Sequence, residues 1–482
     1  MKITLIEPSA PDYHIFSMFR LPRLGLPILG TILKERGHRV NIYIEDLYPI
    51  DYTEAYSSDL VGISSITSTA PRAYSIAERI KKKGIPVVMG GSHVTFLPEE
   101  ALEYADYVVR GEGEETLLEL LESLQEKKPL DNILGLSYHQ SDGHWGEGGN
   151  GHFSHNPPRP LISDLDVYPY PDFSLIKGIE KVSSLPILAS RGCPFNCSFC
   201  SVTKMFGRKY RFRNMENVIE EIVFRLNSFS PAGESPPWFF FYDDNFTANP
   251  TRTKILLEEL LRRGIKFSWT AQTRSDVVKD RELMNLMKKT NCQCLYIGFE
   301  SVNPKTLELY NKRQLVDEIR QAIKVIHSFG IKIHGMFVLG SDEDDVKIVK
   351  NTSRFVKKNK IDTVQYLILT PIPGTEIYNQ MKRENRLLST EWNLYDGLHV
   401  VFQPIKMSAY QLQKEAMKAM RRFYSLFKSL TFLVKGKFYL AMIRFKGSLI
   451  IQKWQKGKKD FLKSLKSIHR EHKNVAEHTA EK

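Results

Sequence analysis

The sequence has 482 residues, of which 42% are hydrophobic and 26% charged, a composition typical of a globular protein with two or three domains. Five cysteines in so long a chain argue against a secreted disulfide scaffold, and the apolar runs predict neither a signal peptide nor a membrane span. The net charge of +13 lies in one region, because residues 405–482 carry 19 basic and 5 acidic residues while the rest is nearly balanced. We therefore expect a cytoplasmic protein with a basic C-terminal region.

Residues 1–128 alternate between apolar runs of strand length and amphipathic segments of helix length. The predicted strands lie at 3–6, 40–44, 60–64, 86–89 and 107–109, and the predicted helices at 27–36, 71–83 and 114–125. This alternation predicts an α/β domain of the Rossmann-like type, with a parallel sheet that binds ligands at the carboxyl ends of its strands.

Three loops of this first domain follow predicted strands and can approach a ligand. Residues 64–69 offer hydroxyl groups, the Gly-Gly pair in residues 90–95 lets the backbone come close, and residues 110–115 open a helix. The run from Asp59 to Thr95 resembles cobalamin-binding domains. This resemblance implies that the loops hold the nucleotide tail and the edge of the corrin ring. The cobalamin contacts that it implies are Ser65, Thr67, Gly90, Gly91, His93 and Thr95.

Many cobalamin proteins ligate cobalt through a histidine in the motif D-x-H-x-x-G. The segment from Asp12 through His14 to Ser17 nearly matches that motif, but Ser17 replaces the glycine and the segment precedes the helix predicted at Pro27 by several residues. Two alternatives stay open, in which His14 ligates cobalt or cobalamin binds base-off without a histidine. We expect the second.

Residues 129–184 are predicted to form a linker with a small hairpin. Five glycines between residues 143 and 151 mark a loop tip, and prolines between residues 157 and 171 predict an extended path. We expect this segment to connect the first domain to a second domain over residues 185–402, which is followed by a helical, basic region over residues 403–482.

Three cysteines, Cys193, Cys197 and Cys200, have the spacing C-x3-C-x2-C in a loop after a predicted strand. Three soft thiolate ligands this close suit an iron–sulfur cluster or zinc. A zinc knuckle needs a fourth ligand, and the remaining Cys292 and Cys294 are too close in sequence for a usual zinc pair. Zinc is therefore the less favoured alternative, and a [4Fe–4S] cube held by three thiolates would leave one of its four irons open to bind a substrate.

The same triad, with the aromatic Phe199 before its last cysteine, resembles the radical S-adenosylmethionine enzymes. In that family the open iron chelates the methionine part of S-adenosylmethionine. An electron from the cluster then produces a 5′-deoxyadenosyl radical that abstracts a hydrogen atom from the substrate. The resemblance therefore implies S-adenosylmethionine as a cofactor and an electron donor of the flavodoxin or ferredoxin type.

Residues 185–402 contain six further strand–helix units, which are similar to the partial (β/α)6 TIM-type barrel of that family. The predicted strands lie at 185–189, 238–242, 266–271, 294–299, 332–339 and 363–369. The predicted helices lie at 215–226, 250–262, 280–288, 317–327 and 345–358.

Polar residues follow several of these strands, where the family binds S-adenosylmethionine. The resemblance implies that Asp243 or Asp244 contacts the methionine amine, and it leaves open which of them does, because the segment departs from the frequent Gly-Gly-Glu form. It further implies that Arg274 pairs with the methionine carboxylate as a fork-shaped donor. Glu300 and Ser301 are expected to meet the ribose and the carboxylate.

Together the two resemblances imply a cobalamin-dependent radical S-adenosylmethionine enzyme. We expect it to methylate an unactivated carbon of a small-molecule or lipid substrate, with one S-adenosylmethionine methylating cobalamin and a second producing the radical. One alternative is an oxidative cyclase or rearrangement enzyme of the same architecture. An alternative of another class is a cobalamin- or cluster-based sensor. Methylthiolation is disfavoured because the sequence has no second cysteine triad.

Aromatic and aliphatic residues recur at helical spacing among the lysines of the C-terminal region. Such residues usually pack on the body of the same protein. A peripheral contact with an anionic membrane is the second possibility, because a basic helix with apolar residues is suited to that surface. No base-stacking fold is visible, so nucleic acid is not an expected partner.

Overall fold

The computed structural model describes residues 1–10, 20–140, 153–228 and 237–468. By internal contacts the chain divides into two compact units. The first comprises the N-terminal strand with Arg20–Pro194 and Ser201–Asp244, and the second comprises Phe195–Cys200 with the chain from Asn245 onward.

The N-terminal part of the first unit alternates strands and helices as predicted. Its elements are β1 (Lys2–Glu7), α1 (Gly25–Glu35), β2 (Arg39–Ile44), α2 (Tyr52–Tyr56), β3 (Leu60–Ser64), α3 (Ala70–Lys81), β4 (Val87–Gly90), α4 (Ser92–Phe96), α5 (Pro98–Leu102), β5 (Tyr107–Val109), α6 (Glu114–Glu126), β6 (Leu136–His139) and β7 (Phe153–His155).

These strands form one sheet in the order β2-β1-β3-β4-β5-β6-β7. The first five strands are parallel, and β6 and β7 pair antiparallel to their neighbours. The centre of the sheet is apolar on both faces, as a parallel sheet covered by helices requires, with Ile3, Leu5 and Ile63 almost fully buried. The hairpin predicted between residues 129 and 184 therefore extends the first sheet, and the domain boundary at residue 128 stays a prediction.

A second series of elements runs from residue 184 to residue 383. They are β8 (Ser184–Ile187), β9 (Ser190–Arg191), α7 (Val202–Phe206), β10 (Arg211–Phe212), α8 (Met215–Ser228), β11 (Trp238–Phe241), α9 (Pro250–Arg262), β12 (Ser268–Thr273), α10 (Arg281–Lys289), β13 (Cys292–Glu300), α11 (Pro304–Leu309), α12 (Val316–Ser328), β14 (Lys332–Leu339), α13 (Lys347–Lys358), β15 (Thr363–Ile368) and α14 (Glu376–Arg383).

Six of these strands form a sheet in the order β15-β14-β13-β12-β11-β8, and β9 and β10 form a separate antiparallel pair. The registers given by β8 with β11 and by β12 through β15 are all parallel. Neighbours in the sheet are neighbours in sequence, which is the topology of a (β/α) barrel segment. The predicted α/β architecture, with a Rossmann-like sheet followed by a six-stranded barrel segment, is confirmed.

The C-terminal region is helical, as predicted, with α15 (Ala409–Phe423), α16 (Leu426–Val434) and α17 (Phe438–Gly457), followed by further helix over residues 459–468. Helix α15 begins at a capping box formed by Ser408 and Gln411, and it buries Leu412, Met420 and Phe423. Across the described residues, no helix has the length and apolar character needed to cross a bilayer.

Candidate functional site

A cavity of about 410 Å³ lies in the first unit at the carboxyl ends of β3, β4 and β5. Its walls include the loops 64–66, 90–92 and 111–114, which are the three loops that the sequence analysis singled out. Parallel strands place their following loops at one edge of the sheet, which is where open α/β sheets bind ligands. Ser65, Gly90 and Gly91 are among the lining residues.

Gly91 lets the loops after β3 and β4 touch. Its φ is +102°, and a Cβ at this position would lie 2.3 Å from the carbonyl oxygen of Ser65. No other residue type fits without moving backbone, because both the dihedral angle and the space exclude a side chain. The Gly-Gly pair therefore sets the shape of the cavity wall.

Two buried hydroxyl groups of the first loop have no hydrogen-bond partner among the described residues. They are the Oγ of Ser65, whose residue is 1% exposed, and the Oγ1 of Thr67, which is 3% exposed. An unsatisfied buried polar group costs about 1–3 kcal/mol, so a polar ligand at this edge would be stabilised by pairing with them. This donor set fits cobalamin, a large ligand with many amide groups.

His93 and Thr95, with Thr67, are not among the residues that line the cavity. The Oγ1 of Thr95 donates to the carbonyl oxygen of Gly91 at 2.8 Å and accepts from the backbone N–H of Gly111 at 3.0 Å. The buried ring of His93 lies 3.5 Å from a carboxylate oxygen of Glu100. The side chain of Thr95 thus joins two loops of the wall, whereas the ring of His93 lies beside α5.

Glu112 is a cavity-lining residue that the sequence analysis did not select. Its two carboxylate oxygens each accept a 2.8 Å hydrogen bond from the fork of Arg211, and Arg191 adds a third at 3.1 Å. The backbone N–H of Ile162 donates a fourth at 2.9 Å. Burial would raise the pKa of Glu112, but these donors and charges outweigh it and hold the pKa below its ordinary value. The carboxylate is therefore charged, and it anchors β9 directly before Cys193.

Asp243 and Asp244 follow β11 and differ in their surroundings. Asp243 is 1% exposed and accepts hydrogen bonds from the Oγ of Ser190 and, at 3.1 Å, from the backbone N–H of Ala189. Burial raises its pKa to about 6. Asp244 lines the cavity, and burial together with the charge of Asp243 raises its pKa to about 7. Of the pair, Asp244 is thus the carboxyl group that a cavity ligand can reach.

The three motif cysteines are half-buried, and none of the three forms a disulfide; they lie in the loop after β9. Gly192 begins the loop with a φ of +89°, and a Cβ there would lie 2.9 Å from the carbonyl oxygen of Lys209. Among the described residues, no three Cys, His, Asp or Glu side chains converge as they would around one metal ion. A [4Fe–4S] cube binds each thiolate through a different iron, so its ligands need not converge in that way. The donor type and spacing fit a cluster.

In the second unit, the cysteine loop packs on the turn that follows α11. The ring of Phe199 meets the ring of Tyr310 edge-on at 4.9 Å between centroids. The amide of Asn311 donates to the carbonyl oxygen of Asn196 at 3.0 Å, and Cys200 N–H donates to the carbonyl oxygen of Cys197 at 3.1 Å. These contacts hold the loop in a defined conformation.

Arg274 lies beside this loop after β12. Its guanidinium stacks over the ring of Phe195 at 3.9 Å and donates a 2.7 Å hydrogen bond to the carbonyl oxygen of Lys312. Only 6% of Arg274 is exposed. The predicted carboxylate-binding arginine is thus directed at the cysteine loop, where a flat cation is suited to recognise a carboxylate.

Glu300 and Lys312 form a buried ion pair, with 2.7 Å between a carboxylate oxygen and Nζ. Glu300 has a φ of +59°, an uncommon conformation for a residue with a side chain. The hydroxyl of the adjacent Ser301 accepts from Asn303 N–H at 3.0 Å. Burial raises the pKa of the Cys197 thiol, whereas the charge of Lys312 opposes that shift. The sequence analysis did not find Lys312, since no strand end or motif marks it.

Cys292 and Cys294 lie in β13, away from the motif. Burial raises the pKa of both thiols, to about 12 for Cys294. That Cys292 and Cys294 do not bind the cluster stays a prediction.

His14 and its neighbours lie outside the described residues. The residues that line the cavity include no histidine. The described part of the first unit therefore offers no imidazole at the cavity wall.

Two family models match the chain, the B12 binding domain over residues 17–121 and the radical SAM superfamily over residues 187–352. The uncharacterized methyltransferase PH0819 of Pyrococcus horikoshii is 34% identical over 418 residues, which cover 84% of this chain and 88% of that protein. Bacteriochlorophyllide d C-12(1)-methyltransferase of Chlorobaculum tepidum is 30% identical over 387 residues, covering 79% of this chain and 77% of that protein.

Among solved structures, the radical S-adenosylmethionine methyltransferase TsrM of Kitasatospora setae, with cobalamin and a [4Fe–4S] cluster bound, superposes with a TM-score of 0.65. The match covers 86% of this chain and 84% of TsrM at 18% identity, so it shows a shared fold. With the family matches, it confirms both resemblances and the three predicted cofactors, cobalamin, a [4Fe–4S] cluster and S-adenosylmethionine.

Proposed function

The chain belongs to the cobalamin-binding radical S-adenosylmethionine enzymes, and on that premise we propose that it methylates an unactivated carbon of a lipophilic small molecule. The two relatives above, at 30% identity or more, are named as methyltransferases, which supports methyl transfer over the cyclase reaction named for relatives at 24–28% identity. The structural observation that carries the proposal is the cavity at the ends of β3, β4 and β5, with its unpartnered Ser65 hydroxyl.

In this proposal, cobalamin supplies the methyl group, and the cluster with S-adenosylmethionine supplies the radical that removes hydrogen from the substrate. Ser65, Gly90 and Gly91 contact cobalamin, the first by hydrogen bonding and the glycines through close approach of the backbone. Thr67 contributes its buried hydroxyl. Thr95 joins two loops of the wall through its side chain, and His93 joins two of them through the 3.5 Å hydrogen bond from its backbone N–H to the carbonyl oxygen of Ser65. We propose that cobalamin binds without an imidazole ligand, because Ser17 replaces the glycine of the D-x-H-x-x-G motif.

For the second site, we propose that Cys193, Cys197 and Cys200 bind three irons of the cluster. Phe199 fixes the loop through Tyr310. Asp244 is the better candidate than Asp243 for the methionine amine, because both carboxylate oxygens of Asp243 already accept hydrogen bonds.

We propose that the other polar and charged groups of the same site bind the rest of S-adenosylmethionine. Arg274 pairs with the methionine carboxylate, and Glu300 and Ser301 bind the ribose and the carboxylate. Lys312 orients Glu300, because its Nζ lies 2.7 Å from that carboxylate.

The substrate and the external partners follow from the same premise. A tetrapyrrole is the substrate named for the Chlorobaculum tepidum relative. We infer that the substrate here is also lipophilic, a tetrapyrrole or an isoprenoid lipid, and that the enzyme contacts the membrane that holds it. Electrons for the cluster come from a donor of the flavodoxin or ferredoxin type.

The test is anaerobic reconstitution of the full chain with iron, sulfide and cobalamin, followed by mass spectrometry with candidate tetrapyrroles and isoprenoids. A product heavier by one CH2, with the methyl group derived from labelled S-adenosylmethionine, is expected. A product of altered structure without that gain would replace methylation by oxidative cyclisation. Absence of 5′-deoxyadenosine from a reconstituted, cluster-loaded protein would favour the sensor instead. A Cys197→Ala variant, which lacks one of the proposed cluster ligands, should form no 5′-deoxyadenosine. Cys294→Ser is its matched control, because it changes a cysteine outside the motif.

A further inference from the structure

Helix α17 carries apolar side chains on two opposite faces. Leu440, Ile443 and Ile451 are buried in the second unit. On the other side, four large residues spaced by four, three and four positions form one stripe. They are Phe438, Met442, Phe445 and Leu449, and between 47% and 68% of each residue is exposed. This second stripe does not contribute to the core of the second unit, because the residues of the first stripe are the ones buried there.

Helix α16 adds a second exposed stripe. Phe427, Leu430 and Val434 recur at spacings of three and four, and their exposed fractions are 79%, 60% and 88%. The helix packs on α17, where the hydroxyl of Ser429 donates to the carbonyl oxygen of Ala441 at 2.7 Å. The two stripes therefore belong to one helical hairpin, and we refer to them together as the apolar face.

The hairpin is firmly anchored in the second unit. Arg444 on α17 is buried, its guanidinium lies 3.4 Å from the ring centroid of Phe423, and it donates to the carbonyl oxygens of Phe423 and, at 3.2 Å, Asp362. An arginine held by a ring and two carbonyl groups fixes the rotation of its helix. The direction of the apolar face is thus set by the fold.

The charge around the apolar face has one sign. Residues 425–457 contain no aspartate or glutamate. Six lysines interleave with the apolar residues of this segment, at positions 428, 435, 437, 446, 453 and 456. Apolar side chains next to lysines complement a surface that is apolar inside and anionic at its edge, which describes an anionic bilayer.

Other occupants fit less well. Residues 469–482, outside the described ranges, contain a single large apolar residue, Val475, and so do not supply a cover. A second copy of the hairpin would bring lysines against lysines, which repel one another. None of the described helices can span the membrane, so the contact would be peripheral.

We propose that the apolar face of α16 and α17 docks in the interfacial region of an anionic membrane and holds the second unit against it. The apolar residues enter the boundary between headgroups and acyl chains, while the lysines pair with lipid phosphates. The docking surface stands on its own geometry. Its purpose, access to a lipophilic substrate, rests on the proposed function.

Co-sedimentation of the full chain with vesicles tests the surface. We expect binding to phosphatidylcholine vesicles with about 30% phosphatidylglycerol at low salt, and much weaker binding to pure phosphatidylcholine or at about 0.5 M salt, because screening weakens charge attraction. The triple variant Phe438→Gln/Met442→Gln/Phe445→Gln should reduce partitioning at least roughly tenfold. A Lys435→Gln/Lys437→Gln variant should reduce it about fivefold per lysine, and only on anionic vesicles.

The matched control is Phe224→Gln/Ile255→Gln, which removes two similarly exposed apolar residues on α8 and α9. Equal vesicle binding by the triple variant and the wild type overturns the proposal, as does absence of binding by the wild type. A change in oligomeric state of the triple variant, with vesicle binding unaltered, would assign the face to a second copy of the chain instead.

The failures of the two proposals are distinguishable. Iron content and 5′-deoxyadenosine formation in the triple variant should equal those of the wild type, because the substituted residues are exposed on the C-terminal hairpin. If the wild type methylates a detergent-solubilised substrate but ignores vesicles, the docking surface is wrong and the proposed function survives. If the wild type binds vesicles but methylates none of the candidates, the proposed function is wrong and the docking surface survives.

Discussion

The candidate ligand-binding groups of the two units differ in whether they already have partners. In the first unit, the hydroxyls of Ser65 and Thr67 have no partner among the described residues, and Gly91 lines the cavity. In the second unit, Arg274 donates to a carbonyl oxygen, and Glu300 pairs with Lys312. These two hydroxyl groups, predicted to contact cobalamin, are neutral and have no partner in the described part of the chain, whereas Arg274 and Glu300, predicted to contact S-adenosylmethionine, are already bonded to other groups.

This difference predicts which kind of substitution should change ligand affinity most in each unit. Neutral hydroxyls and glycine backbone accept a large polar ligand without first giving up other bonds, so shape decides affinity in the first unit. A buried ion pair has a large electrostatic energy and a large desolvation cost, so binding of a charged ligand in the second unit is governed by exchange of partners. Steric substitutions should therefore dominate in the first unit and charge substitutions in the second.

The largest effect is expected from the motif cysteines. Each of Cys193→Ala, Cys197→Ala and Cys200→Ala should abolish cleavage of S-adenosylmethionine, because two thiolates do not hold the cluster in its proper state. Iron content and 5′-deoxyadenosine measure the loss, while cobalamin binding by the first unit should persist. The control Cys294→Ser should keep all of its iron. Full cleavage activity in any one of the three variants would contradict the cluster assignment.

Next comes a steric change in the first unit, Gly91→Ala. The new methyl group would lie 2.3 Å from the Ser65 carbonyl oxygen at a φ of +102°, so the loops must part. We expect cobalamin affinity, measured by absorbance titration, to fall roughly tenfold or more. Gly84→Ala is the control, because Gly84 also has a positive φ but nothing within 4 Å of the added Cβ. Equal losses in the two variants would show that backbone strain alone matters.

A charge change in the second unit should follow, through Lys312→Met. The substitution leaves the buried Glu300 carboxylate without its 2.7 Å partner, so stability should fall by about 3–5 kcal/mol and affinity for S-adenosylmethionine by about tenfold. The double variant Glu300→Gln/Lys312→Met should recover the stability, as measured by denaturant unfolding, but not the affinity. Recovery of both stability and affinity would mean that the Glu300–Lys312 ion pair has only a structural role. The proposed difference between the two units would then be wrong.

The smallest effect is a pH dependence at Asp244. Burial and the charge of Asp243 raise its pKa to about 7 from an ordinary value near 4. Because the folded-state pKa exceeds that of the unfolded chain, Asp244 favours the folded state at low pH, and this contribution is lost as the pH rises from about 4 to 7. Asp244→Asn should therefore raise the unfolding temperature at about pH 8 by a few degrees more than at pH 5.

The exposed Asp317→Asn is the control for this titration, since its side chain is 87% exposed. The change in unfolding temperature between the two pH values should be larger in Asp244→Asn than in this control. Equal changes in the two variants would mean that the Asp244 carboxyl group does not titrate in this range.

Much of the fold follows from local sequence. The predicted strands at 60–64, 107–109 and 332–339 have the same bounds in the structure. Short apolar runs between turn-forming residues leave little choice of local conformation, and the alternation with amphipathic helices implies parallel sheets. The cysteine spacing is likewise a local pattern, so the cluster and its cofactor were predictable from the sequence.

The sequence determined which loops carry the chemistry, and only the tertiary structure decided which side chains face a ligand. Ser65 lines the cavity, whereas Thr95, from a loop of the same wall, bonds to the neighbouring backbone instead. Glu112 became a site residue through partners 79 and 99 positions away, Arg191 and Arg211. The direction of a side chain depends on packing against residues distant in sequence, and no local pattern contains that information. The same reason separates α15, which buries its apolar side, from α16 and α17, whose apolar stripes face outward.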